Sequence, residues 1–113
     1  MSQNIALLTL PVLLTSACPA MRFITATGSP AGTGANTLGV TRYGAGAGAT
    51  VPVDVLGTAV VETSAAIAKG DTIKADADGR AITWDTSGAK VAIALHAASG
   101  AGQPMEVLLL PNA

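Results

Sequence analysis

The sequence predicts a mainly β fold, a small β-sandwich or barrel carrying an extended N-terminal arm. Three observations predict it. Short runs of Val, Ile, Leu and Thr recur with turn residues between them, at the spacing of a small sandwich or barrel. Asp78-Gly79, between segments 71–75 and 80–84, is the strongest hairpin signal, because a two-residue type I′ turn needs a positive φ that Asp and Gly tolerate. Val91-Ala-Ile-Ala-Leu95 and Val107-Leu-Leu-Leu110 are apolar without interruption, so they read as strands that are central in the sheet or covered on both faces.

Taken in order, Ile5–Leu14 is a Leu/Val/Thr stretch suited to a strand. Pro11 and Pro19 favour extended backbone before them. Residues 1–20 are therefore assigned to the arm and 21–113 to a single β domain. Met21–Thr27 alternates Met, Phe and Thr on one face with Arg, Ile and Ala on the other. Gly28–Asn36 is a loop. Leu38–Tyr43, Thr50–Leu56 and Thr58–Thr63 are strands, the first two separated by the small residues Gly44–Gly48. Ser64–Lys69 reads as a short helical turn stopped by Gly70. The Asp78-Gly79 hairpin, a turn at Asp85–Gly88 and strands at Lys90–His96 and Met105–Leu110 complete the chain. A repeat is also visible. Gly39-Val-Thr41, Gly46-Ala-Gly48 and Val51–Val55 are echoed by Ala92-Ile-Ala94, Gly100-Ala-Gly102 and Met105–Leu109, offset by 54 residues at the glycines. Two copies in an Ala/Gly-rich chain are equally what composition alone produces.

The 113 residues fit one domain, with a radius of gyration of about 13 Å. Half are hydrophobic and only 12% are charged, the reverse of a disordered composition. A net charge of −1 with no basic stripe excludes the usual nucleic-acid footprint. One cysteine excludes an intrachain disulfide framework. The charge is uneven. Residues 1–53 hold Arg22, Arg42 and no acid, whereas 54–113 hold seven acids and four bases. The first half cannot make a charged surface; it is either a Gly/Ala/Thr-rich loop region that is simply neutral or, the preferred reading, a segment buried against other subunits. Oligomerisation also supports a short chain whose core is Ala, Val, Leu and Ile.

No catalytic constellation stands out. His96, the one histidine, ends an apolar strand, and no nucleophile sits in a recognisable elbow. Cys18 reads as a small apolar filler, and one Cys with one His is too few for zinc. Asp76, Asp78, Gly79 and Asp85 fall at calcium-loop spacing, but Lys74 would occupy the first ligand position. Gly44–Gly48 lacks the Lys-Ser/Thr of a phosphate loop. Asp54, Glu62 and Glu106 could form a carboxylate pair, yet almost no aromatics exist to stack a sugar. Ile5–Cys18 looks like a secretory segment ending in a lipidated cysteine, but it lacks a basic start and has Thr15 where a lipobox has Leu. The run is too short for a transmembrane helix.

From Leu38 to Leu110, an ordered series of elements resembles the capsid cement, or head decoration, proteins of tailed phages. The series runs Gly39-Val-Thr41, Gly46-Ala-Gly48, Val51-Pro-Val-Asp-Val55, Gly57, Ala65–Ile73 and Ala77–Ala81. It closes with Val91–Leu95, Ala97–Gly102 and Val107–Leu110. Family members often have Gly where this chain has Ala92. The resemblance implies a β-rich protein of the virion, on the capsid exterior, made in the host cytoplasm. It implies a homo-oligomer, commonly a trimer, that binds the major capsid protein and bridges its subunits against the pressure of packaged DNA. No enzyme activity, cofactor, metal, nucleic acid or membrane is implied. On this reading the expected oligomer or capsid contacts are Ile5, Leu7, Leu8, Leu10, Val12, Leu13, Leu14 and Phe23, with the arm adding a strand to a neighbour or lying in a groove. The alternatives are an exported bacterial surface lipoprotein-like β-domain anchored at Cys18, and a biotinyl/lipoyl-type carrier barrel echoed by Lys69–Lys74. The carrier reading lacks a lysine in the Asp76–Gly79 hairpin.

Overall fold

A computed structural model describes residues 6–110, so Ile5 lies outside the described residues. The described chain is all β. Its strands are β1 (Ala6–Leu13), β2 (Phe23–Ile24), β3 (Gly39–Thr41), β4 (Thr50–Glu62), β5 (Thr72–Ala75), β6 (Ala81–Thr83), β7 (Ala92–Ala94) and β8 (Pro104–Leu109). They pair in the order β2-β3-β4-β8-β7-β5-β6, with β1 also on β4. All these pairings are antiparallel. The path β4-β8-β7-β5-β6 almost closes on itself, because a parallel bridge joins Thr63, just after β4, to Ala81 at the start of β6. The radius of gyration is 12.2 Å, close to the expected value.

β4 organises the fold. The sequence predicts two strands, Thr50–Leu56 and Thr58–Thr63, but they form one strand of 13 residues. Its first half pairs with β1 and β3, and its second half pairs with β8. Gly57 sits at the junction with φ of +96°, a conformation that costs a residue with a side chain roughly 1–2 kcal/mol. The strand thus turns from one lobe into the next without ending.

The two lobes are copies of one plan, so the repeat seen in the sequence is structural. In the first lobe Leu14 N–H donates to Ala49 O, and Gly48 N–H donates to Leu14 O. In the second lobe Thr63 N–H donates to Gln103 O, and Gly102 N–H donates to Thr63 O. Cys18 and Ala45 bond reciprocally, as do Ile67 and Ala98. Met21 N–H to Thr41 O is matched by Gly70 N–H to Ala94 O. Met21 and Gly70 even share a left-handed φ, of 59° and 89°. The cores match too. The first-lobe cluster contains Val12, Cys18, Ile24, Val51 and Val53, and the corresponding Val61, Ile67, Ile73, Met105 and Val107 lie in the second. The second cluster adds Phe23 and Val40, which come from the other face of the first lobe.

Two local expectations are corrected. Ser64–Lys69 is not helical. The backbone of Ile67 pairs with Ala98, and Ser64 N–H donates to Ala81 O, which uses the groups a helix would need. The Asp78-Gly79 hairpin exists, but only Gly79 has positive φ. Gly79 N–H donates to Asp76 O and Asp76 N–H to Arg80 O, the longer loop that ends in a left-handed glycine. Asp76 Oδ1 fixes it by accepting the Asp78 and Arg80 N–H groups, each at 2.8 Å. As expected from their uninterrupted apolar runs, β7 and β8 are central in the sheet; Leu108, on the outer face of β8, is 39% exposed.

The lobes differ in one close approach. Gly39 pairs with Ile24 as Ala92 pairs with Leu109 and Ile73. A Cβ at Gly39 would stand 2.1 Å from the Asp54 carbonyl oxygen, so backbone would have to move. Gly39→Ala is expected to lower stability by about 3 kcal/mol, read as a shift of the urea midpoint at unchanged slope.

Candidate interaction surface

β1 lies at the margin of the sheet. It pairs with β4 and with no other strand among the described residues. Leu7 (79%) and Leu13 (59%) are strongly exposed on it, and Leu8 and Leu10 are exposed as well. A long apolar strand with one unpaired edge is a template for another chain, and clustered exposed apolar groups mark contact surfaces. Register shifts between Ala6 and Thr9 interrupt the ladder there, so the strict alternation that would hide every second side chain is lost.

The other expected contact residues lie elsewhere. Val12 and Leu14 are buried in the first-lobe core, and Phe23 is buried in the second-lobe core. They hold the molecule together from within. Tyr43, Leu56 and Leu108 are exposed but were not singled out by the sequence. For Leu108, pairing carries the missing information: it stands opposite Thr58 on β4 and Ile93 on β7, on the outward side of a run of leucines that looks uniform in one dimension.

The charged groups are mostly engaged with one another. Arg22 and Arg80 both reach Glu62 Oε2, at 3.3 and 3.6 Å, and Arg80 also pairs with Asp76 and Asp78. Asp54 is buried and accepts from Arg42 Nε at 2.8 Å and from Thr9 Oγ1 at 2.9 Å. Both arginines of the acid-free segment thus bind acids of the other half. Lys74 is buried, and its Nζ donates to Asp85 Oδ1 at 2.7 Å. The Lys74 ammonium, aided by the N–H and hydroxyl of Ser87, holds the Asp85 carboxyl below the usual carboxylate range against the opposing effect of desolvation. Lys90 lies over the Trp84 ring at 4.4 Å.

The remaining candidates are placed as follows. His96 Nε2 lies 3.2 Å from Glu106 Oε1. Burial pushes the Cys18 thiol up, the opposite of an activated nucleophile. The calcium-like acids are turned to backbone N–H groups and to cations: Asp76 and Asp78 to Arg80, Asp85 to Lys74. Among the described residues, no group of three or more His, Cys, Asp or Glu is arranged to hold a metal ion. An open concavity is lined by Met21, Thr41, Arg42, Tyr43, Asp54 and Val60, with the Arg42–Asp54 pair neutralising its wall.

The family profile described as phage cement protein matches residues 3–109. Among solved structures, the N base of head fiber gp8.5 in bacteriophage phi29 shares the fold, with a TM-score of 0.76 at 20% identity. That similarity covers 91% of this chain and 93% of the other. Among curated proteins, none matches the sequence significantly.

Two predictions follow from the ion pairs. Arg42→Ala is expected to cost more stability than Asp54→Ala. The first leaves a buried carboxylate with only the Thr9 hydroxyl, whereas a freed Arg42, one-third exposed, can turn to water. We expect about 3 kcal/mol against about 1–2 kcal/mol, read by denaturant titration. For Asp85, the folded-state pKa is depressed, so its stabilising effect is complete above the unfolded value of about 4 and fades as pH falls through the folded value. Asp85→Asn should therefore be less stable than the parent at neutral pH, and the gap should shrink below about pH 4 in a pH series of urea titrations.

Proposed function

The chain belongs to the phage cement protein family, and from that premise we propose that it binds the outside of an icosahedral phage head, bridges neighbouring major capsid protein subunits and acts as a homo-oligomer, a trimer by the family's habit. A phage capsid-associated structural protein has no need of a catalytic site; it needs a rigid body and an adhesive face. The observation that carries the reading is the exposed apolar edge of β1, with Leu7 and Leu13 outward and Val12 and Leu14 anchored inward. An added strand gains main-chain hydrogen bonds along that edge and pockets for alternate side chains. Many copies on one shell multiply weak individual contacts.

A lipid anchor at Cys18 is the weaker reading. Cys18 is buried in the first-lobe core and bonded to Ala45. A chain beginning there would lack β1 and Leu14.

Removing residues 1–20 would also remove core residues, so substitution is the cleaner test. Leu7→Lys combined with Leu13→Lys should leave the circular dichroism and melting temperature near the parent's. It should weaken co-sedimentation with expanded heads by at least about tenfold, since burying one leucine is worth about 1.5–3 kcal/mol. Undiminished binding would remove β1 from the contact, and no binding of the parent to heads would overturn the capsid reading.

A further inference from the structure

The repeat shows how one lobe covers another. Pairing places Thr9, Asp54, Val40 and Phe23 in one row across β1, β4, β3 and β2. Phe23 and Val40 from this row are buried in the second-lobe core. The equivalent row in the second lobe is Thr58, Leu108, Ile93 and Thr72, across β4, β8, β7 and β5. It has no charged residue. Nothing in the described chain covers it as Phe23 and Val40 are covered: Leu108 is 39% exposed and Ile93 is half-buried.

The receiving side has its own unmatched copy. Ala59 opposes Val107 in the second-lobe core and is fully buried. Its equivalent, Leu10, opposes Val53 in the first-lobe core and is 37% exposed. The first-lobe cluster draws only on residues 12–55, so the second lobe returns no residue to it. The relation between lobes is therefore head-to-tail and not two-fold. Each chain keeps one unused head, the Leu108–Ile93 row, and one unused tail, the open side of the first-lobe core at Leu10.

We propose that a second copy of this chain seats its Leu10 side on the Leu108–Ile93 row, repeating between chains the packing that joins the two lobes within one. The interface is heterologous, so closure gives a ring and failure to close gives a fibre. This deepens the oligomer reading and rests on it; binding to the capsid through Leu7 and Leu13 is tested separately.

The test uses complementation. Leu108→Glu disables only the head and Leu10→Glu only the tail, both at exposed positions; Ile93→Lys and Leu10→Ser are second variants should either misfold. In sedimentation velocity, the parent is expected to be oligomeric and each single variant monomeric. Mixing Leu108→Glu with Leu10→Glu should restore a dimer and nothing larger, because one partner keeps its tail and the other its head. An isologous interface gives no such rescue, so a mixture that stays monomeric overturns the proposal. Folded single variants that remain oligomeric overturn the choice of faces while leaving oligomerisation intact. A parent that is monomeric at all concentrations overturns oligomerisation itself, whatever its binding to heads.

Discussion

The structure depends on the β2–β3 hairpin being buried on both faces. Ile24 points into the first-lobe core, while Phe23 and Val40 point into the second. Phe23 is the chain's one phenylalanine and its largest fully buried side chain. The core it enters is rich in alanine: Ala59, Ala75, Ala81, Ala92, Ala94 and Ala98. Small residues let strands and loops approach closely but bury little apolar area each, so one ring burying about 150–250 Å² weighs heavily there. Neither lobe reaches a closed core by itself.

Electrostatics reinforces the same junction. Arg22 precedes β2 and reaches Glu62 at the end of β4, where Arg80 from the hairpin after β5 also arrives. Phe23 N–H donates to Gly79 O, and Arg22 donates to Asp78 O, in that same hairpin. Backbone and side chain therefore close one seam. The charge imbalance along the sequence is in part the trace of such pairing: Arg22 and Arg42 stand in the acid-free segment, and their partners Glu62 and Asp54 stand in the other half.

A body built this way suits a capsid-associated role. Its charged groups are mostly paired internally, and its exposed leucines lie on β1, at Leu56 of β4 opposite Leu8, and on the outward row of β8. Such a surface offers shape and apolar area, which suits a phage capsid-associated structural protein. The fold itself is shared with the base of a phage head fiber.

The sequence by itself determined the β class, the positions of most strands and turns, the absence of a recognisable catalytic motif and the family. These are carried by local signals: β-branched runs, Asp-Gly and Gly-Ala-Gly turns, and an ordered series of short elements. It left the 54-residue echo balanced against chance, because side-chain identity is barely conserved between the lobes; Cys18 stands where Ile67 does, and Leu14 where Thr63 does. What repeats is the backbone hydrogen-bond pattern, which any small apolar residue can satisfy. Only the tertiary structure decided which apolar residues face inward. In β1 and β8 leucines sit on both sides of the strand, so alternation is invisible in one dimension. Val12 and Leu14 became core while Leu7 and Leu13 stayed outside because of where β4 and its neighbours pass, a relation between segments about 40–50 residues apart that no local propensity encodes.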